Sequence, residues 1–468
     1  MLDTVKLHLV AGGLAAALAL AACGSQDTQR AGGAAQAESR VLTLANGNGQ
    51  PDELQIFIDK VDELSNGRLR IKPSNSWRSG EAQYEKGIFE DVRNGKADLG
   101  WVGSRALDSV GVKAFDPLHA PFLIDSYELQ DQVLDGDLPD KMLAALEPAG
   151  VTGVAVLPGP LRFLHVDRKI VGPEGLAGLK IALQDSPLAE ATLTAFGAQP
   201  VAIGSGGSIS RLDGVETQIS SSQGNHYYET AKYTVGDAPL WPRPYVVFAD
   251  TDAWNALSSD DQQVLRDAGA AARSGMLVET LEVEQAALGT LCRAGGEVMT
   301  IGAAGMARLQ QAAAPVIERL RSDPATEQAM SEIEAMRGGA KPQSLACPAS
   351  TSQQQAALTG KFATTIRKSE PHSDSVGDFE VTGLDAIKLH LELDDGRAVI
   401  TEEYPEGLTV GFDDSYTTFR DVIKFAGEGG GVRFTAHWKL DGEELRFTDI
   451  GGEPGDKYIW GHTWTRER

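Results

Sequence analysis

Two hydrophobic rhythms divide this chain, and one layer of secondary structure cannot accommodate both. Up to about Gln353, short apolar runs alternate with stretches whose apolar residues recur every three to four positions; beyond it, apolar and polar residues alternate one by one. The first rhythm is that of strands separated by helices. Val41-Leu42-Thr43-Leu44-Ala45 reads as a strand, Asn46-Gly47-Asn48-Gly49 as a loop, and Leu54, Phe57, Ile58, Val61 and Leu64 recur at helical spacing. Asn66-Gly67 ends that helix, and Leu69-Arg70-Ile71 opens a second strand. The unit repeats with a helix over 81–93 and a strand over 97–102, and further strands are predicted at 151–157, 161–166, 179–183 and 245–248. This alternation predicts an α/β body of mostly parallel sheets flanked by helices. A long helix is predicted over 258–291, with Ser258 as its cap and Asp260 and Asp261 near its positive end.

The second rhythm predicts a separate antiparallel body. Ile387, Leu389, Leu391 and Leu393 alternate with Lys388, His390 and Glu392 before the turn dipeptide Asp395-Gly396. Val432, Phe434, Ala436, Trp438 and Leu440 alternate again before Asp441-Gly442, and Leu445-Arg446-Phe447 resumes on the far side. Period-two patterning punctuated by such turns means hairpins. Closing the meander removes its exposed edges, so residues 351–468 are predicted to form a small lipocalin-like antiparallel β-barrel. A barrel of this size either holds one small ligand or is filled by side chains, and Trp438, Trp460 and Trp464 suggest a filled interior or lipid contact. His390 and His437 project to the face opposite the apolar stripe, which favours solvent over a metal.

At the other end, an apolar run from about Leu9 to Ala22 leads to Leu20-Ala21-Ala22-Cys23, followed by Gly24-Ser25. The run is too short to cross a bilayer core of about 30 Å, and the four residues resemble a lipobox. The expectation is a signal peptide over 1–22, lipidation of Cys23, a flexible tether over 23–39, and a body held outside the cytoplasm on the cell membrane by its lipid. A net charge of -24 over 468 residues argues against nucleic acid as a partner. With Cys23 assigned to lipid, Cys292 and Cys347 form an even pair in an oxidising compartment, and a disulfide between them is predicted. A closed loop of roughly 55 residues contributes about 3 to 4 kcal/mol on the chain-entropy account. Cysteine and histidine spacing gives no metal site, and no cofactor is predicted.

Within the α/β body a series of short motifs falls in a characteristic order. It runs Gly67-Arg68-Leu69-Arg70-Ile71, Asn94-Gly95-Lys96-Ala97-Asp98-Leu99, Ala120-Pro121-Phe122-Leu123, Val133-Leu134-Asp135-Gly136 and Gly159-Pro160-Leu161-Arg162. It continues with Pro173-Glu174-Gly175-Leu176-Ala177-Gly178-Leu179-Lys180-Ile181, Phe196-Gly197-Ala198-Gln199-Pro200 and Leu212-Asp213-Gly214-Val215-Glu216. Over roughly Leu42 to Leu320 this order resembles the extracytoplasmic solute-binding proteins of TRAP (tripartite ATP-independent periplasmic) transporters. The resemblance implies a two-lobe, periplasmic-binding-protein-like fold with hinge strands and a long bracing helix. Residues 40–350 would make the two lobes, with 40–159 and 245–350 in lobe one and 160–244 in lobe two. It also implies capture of a small solute and its delivery to membrane permease subunits.

Members of the family commonly hold a solute carboxylate with an arginine directly after the Gly-Leu-Lys-Ile strand, but that position here is Ala182. A second family arginine matches Arg162. Two readings follow: Arg162, helped by Arg243 or Arg105, still binds an acid, or the solute is neutral, such as a polyol or sugar-like molecule. Pocket candidates are Asn46 and Asn48 in the first loop, Trp101 and Ser104 at a strand end, Asp185, and Glu216, Gln218, Asn225, Tyr227, Tyr228 and Trp241 on lobe two. The stretch Ala202 to Arg211 is too glycine-rich for a helix and reads as a turn. No HExxH or GxSxG motif is present, and the spacing of Asp213 and Glu216 suits a turn or exposed face better than an acid/base pair, so no catalytic residues are assigned. The alternative is a lipid-anchored enzyme, or a ligand-binding lipoprotein that uses its barrel.

Overall fold

The computed structural model describes residues 39–49, 52–347, 358–368, 384–394, 396–405, 407–419, 422–426, 432–451 and 454–467. The segment expected to be a signal peptide, Cys23, nearly all of the expected tether and Asp395 of the first barrel turn lie outside the described residues. The chain first lays down β1 (Arg40–Asn46), β2 (Leu69–Ser74), β3 (Leu99–Gly103) and β4 (Val151–Leu157). It then crosses to a second sheet and adds β5 (Leu161–Val166), β6 (Lys180–Leu183), β7 (Gln199–Ala202), β8 (Gly214–Thr217), β9 (Tyr233–Val235) and β10 (Trp241–Pro242). It returns as β11 (Tyr245–Asp250).

The first sheet has the order β2-β1-β3-β11-β4. Strands linked through helices, β1 with β2 and β1 with β3, pair in parallel, whereas β11 runs antiparallel to β3 and β4. The difference follows from connectivity: a helical crossover returns the chain in the same direction, while β11 arrives straight from the other lobe. Both sheets are therefore mixed. The second contains β9, β5, β8, β6 and β7 in that order, with β10 on β5, and it gains a further strand, β12 (Glu297–Met299), paired in parallel with β9. This strand falls within the stretch assigned from sequence to lobe one. It belongs to the second sheet because Met299 and Ile301, with Leu309 and Ala313 of the helix Gly302–Arg321, complete the core around Leu164, Ile181 and Trp241.

The helix Ser259–Arg293 braces everything. Ser258 caps it by accepting the Asp261 N–H at 3.1 Å. Its middle is buried on all sides, Met276 through Thr280 in succession, because one flank packs on the helix Asp52–Ser65 and β4, another on the helix Ile219–Gly224, and a third on the C-terminal barrel. The disulfide Cys292–Cys347 is formed, joining the end of this helix to the strap that leads to the barrel. Before the bridge, Gln343 N donates to Asp125 O at 2.7 Å and Leu345 N to Gly236 O at 2.9 Å, which holds the strap against the body.

The barrel comprises β13 (Gly360–Arg367), β14 (Ala386–Asp394), β15 (Arg397–Tyr404), β16 (Gly407–Phe419), β17 (Val422–Ala426), β18 (Val432–Asp441), β19 (Glu444–Thr448) and β20 (Trp464–Arg466). They close in sequence order, with β20 paired back on β13. Ile387, Leu389, Leu391 and Leu393 all point inward and are fully buried. The interior is filled: Trp460, at the end of the helix Pro454–Trp460, lies with its ring centroid 4.4 Å from Phe425, 5.1 Å from Phe447 and 5.2 Å from Phe412. His390 is half-buried against Glu403 and Glu467. On the outer wall Lys424 is buried and pairs with Glu279 and, at 2.9 Å, with Glu282 of the bracing helix.

Candidate functional site

Between the two sheets lies a cavity of about 400 Å³. Lobe one contributes Asn48, Glu53 and Tyr245, lobe two Arg162, Gln184, Glu216 and Gln218, the bracing helix Val283, and the returning crossover Arg243. The first-loop side chain Asn46 does not reach it. Its amide donates to Gly49 O at 2.8 Å and Asn75 Oδ1 at 3.0 Å, which shapes the loop that presents Asn48.

The lobes meet directly over this space. Ser205 Oγ donates to Asn48 Oδ1 at 2.9 Å, Gln184 Nε2 to Tyr84 Oη at 3.0 Å, Ser109 Oγ to Asp185 Oδ2 at 2.9 Å, and Leu188 N to Asp108 Oδ2 at 3.0 Å. The glycine-rich stretch after β7 is a turn, and it forms part of the roof, pinned where Tyr227 Oη donates to Gly207 O at 2.8 Å. A Cβ on Gly204 would stand 2.8 Å from the Gly80 carbonyl carbon and oxygen and 2.9 Å from Glu81 O, so glycine permits this backbone-to-backbone closure.

Arg162 is completely enclosed. Its Nε donates to Glu216 Oε1 at 2.5 Å, its Nη2 to Glu216 Oε2 at 2.9 Å and Glu216 O at 2.8 Å, and its Nη1 to Gln218 Oε1 at 2.9 Å and Gln184 Oε1 at 3.4 Å. Nearby, Glu85 takes Gly103 N at 2.8 Å and pairs with both Arg105 and Arg243. Burial opposes the charge on Glu85, but the two guanidinium groups outweigh it and hold the carboxyl below its usual range. On the bracing helix, Glu284 accepts Ile219 N at 2.8 Å and Ser220 N at 3.0 Å; burial pushes its carboxyl up to about 7.

Of the residues expected from sequence, Asn48, Arg162, Glu216, Gln218, Asn225 and Tyr227 line the cavity. The others stand elsewhere. Trp101 stacks beneath Tyr245 at 4.8 Å in the core of lobe one, and Trp241 fills the core of lobe two. Ser104 is buried against His119 at 2.7 Å, Asp185 sits on the seam between lobes, and Tyr228 turns to His226 at 3.1 Å. Gln184, Glu53 and Tyr245 also stand on the wall, although no sequence motif marks them as pocket residues. Ala182, which follows the Gly-Leu-Lys-Ile strand, is buried beside Val215 and Ile209 and offers no charge.

The pattern that defines the bacterial extracellular solute-binding proteins of family 7 (DctP) matches residues 43–323, more than half of the chain. The chain belongs to this family. It is a TRAP-type solute-binding protein with a β-barrel appended. It is similar to the C4-dicarboxylate-binding periplasmic protein DctP of Rhodobacter capsulatus, 25% identical over 144 residues, which span 31% of this chain and 42% of that relative. It is also similar to the 2,3-diketo-L-gulonate-binding periplasmic protein YiaO of Escherichia coli, 26% identical over 250 residues, 52% of this chain and 75% of that one. Among solved structures, a TRAP solute-binding protein of Xanthobacter autotrophicus with bound β-D-galacturonate matches with a TM-score of 0.57 and 24% identity, covering 63% of this chain and 99% of that chain. One from Chromohalobacter salexigens with bound D-glucuronate matches at 0.57 and 19%, with the same coverage. At these identities the structural likeness bears on the fold.

Proposed function

We propose that this solute-binding protein captures a small hydroxylated carboxylic acid of the sugar-acid class and hands it intact to the permease subunits of a TRAP transporter. The observation that carries the reading is the roofed cavity of about 400 Å³ with arginine on its wall. Ligand pockets run from roughly 300 to 1,000 Å³, so this one suits a single sugar-sized solute. Asn48, Ser205, Thr217, Gln218 and Asn225 supply donors and acceptors for hydroxyls, and Tyr227 and Tyr245 supply flat faces. The named relatives bind acids: a C4-dicarboxylate, 2,3-diketo-L-gulonate, galacturonate and glucuronate. Lipidation of Cys23 would keep the body at the outer face of the membrane beside that permease.

A thermal-shift panel tests this with D-galacturonate, D-glucuronate, a C4-dicarboxylate, galactose and a linear polyol. A ligand that binds only the folded state at about 100 times its Kd adds about 2.7 kcal/mol of stability. A hexuronate is expected to raise Tm and to be recovered unchanged. A shift by galactose or the polyol with none by any acid would defeat the reading.

A further inference from the structure

We propose that the acid group of the solute is received by Arg243, supported from behind by Arg105, and not by the family-matched Arg162; this rests on the sugar-acid reading above. A guanidinium has five N–H donors. All five of Arg162 already have acceptors, and the bidentate carboxylate of Glu216 cancels its charge. A solute carboxylate would have to displace Glu216 or a glutamine to reach it. The other place to look, position 182, is a buried alanine.

Arg105 and Arg243 stand differently. Both are nearly inaccessible, 2% and 3% exposed, and both pair with the one carboxylate of Glu85. Two cations thus share one anion. Among the described residues, the Nε of Arg243 and the Nε and Nη1 of Arg105 are buried without an acceptor. Surplus buried charge and unmet donors are both unfavourable, and an anion at the stretch of wall formed by Arg243 offsets the surplus charge.

Position and spacing favour the same assignment. Arg243 is part of the cavity wall, in the segment that crosses back from lobe two to lobe one, with its guanidinium 4.8 Å from the ring centroid of Tyr245. Arg105 lies one layer deeper and reaches toward lobe two, donating to Gln184 Oε1 at 2.6 Å. Gly103 makes room for the pair: a Cβ there would collide with Arg105 Nη1 and lie 3.2 Å from Arg243 Nε. An anion at Arg243 therefore touches the crossover itself and couples the solute's charge to the floor on which both lobes turn. Glu53 and Glu216 remain on the wall as acceptors for hydroxyls.

The test is calorimetric titration of D-galacturonate and of galactose into the full chain and into Arg243→Gln, Arg243→Lys and Arg162→Gln. The parent is expected to prefer the uronate. Arg243→Gln should lose on the order of 100-fold for the uronate and little for galactose, while Arg243→Lys, which keeps the charge but not the fork, retains part of the preference. Retention of the uronate preference in Arg243→Gln, or its loss only in Arg162→Gln, overturns the assignment while leaving the sugar-acid reading intact. A parent that binds no acid overturns both. If Arg243→Gln fails to fold, Arg243→Lys decides: full uronate affinity in that variant counts against a bidentate seat at Arg243.

Discussion

Gly204→Ala isolates the closure of the lobes. The added methyl would lie 2.8 Å from the backbone of Gly80, whereas ordinary contact begins near 3.4 Å, so the lobes must part by about 0.6 Å at that point. The adjacent Ser205–Asn48 bond, now 2.9 Å, would lengthen to about 3.5 Å and cease to count. Loss of that bond is worth about 1 kcal/mol, and overpacking against backbone that cannot swing aside adds about 1–3 kcal/mol. At a factor of ten per 1.4 kcal/mol, the Kd for a hexuronate should rise by at least about 30-fold. The ligand-free Tm, measured beside it, reports what the same methyl costs the fold. Titration calorimetry on parent and variant, with ligand-free melting as the control, measures both quantities. A variant that binds within about threefold of the parent would refute the reasoning, because the roof would then not be a rigid part of the bound state.

Three further outcomes are expected. Lys424→Met removes the ion pairs with Glu279 and Glu282 that tie the barrel wall to the bracing helix and should lower stability by about 2 kcal/mol in urea; a change below about 0.5 kcal/mol would mean the barrel is not latched there. Replacing Cys292 and Cys347 together by serine should remove about 4 kcal/mol, given a sequence separation of 55 residues, and an unchanged urea midpoint would contradict it. Burial holds His165 near 4 and His119 near 3, so each stays neutral while the unfolded chain takes up protons below about 6.5. Their contribution is whole above that pH and is lost as pH falls, by about 2 kcal/mol each at pH 5. Between pH 7.5 and 5, His165→Gln should lose about 2 kcal/mol less than the parent; equal losses would place the effect elsewhere. Glu284 works the other way, its raised carboxyl favouring the folded state as pH drops from about 7, which is why the variant is compared with the parent.

Where an element was dictated by local pattern, the sequence sufficed. The apolar runs at Val151–Leu157 and Leu161–Val166 are strands over those residues, the Ser258 cap starts the long helix, and the alternating leucines of β14 face the barrel centre. Short strands such as β9, β10 and β12 carry no period long enough to see and exist because neighbouring strands complete them. The cavity was half legible for the same reason. Arg162 and Glu216 were visible as residues of motifs, but their mutual neutralisation depends on the antiparallel register of β5 and β8, a tertiary fact. Trp101 and Trp241 looked like pocket aromatics and proved to be core because the strand face they occupy turns inward, which chain position alone does not reveal.

The packed centre of the barrel has a last consequence. Trp460 and the phenylalanines around it occupy the place where a carrier of this shape would put its cargo. Any dealings the C-terminal quarter has with other molecules must therefore be conducted across its outside, and part of that outside is already given over to the helix that also walls the solute chamber.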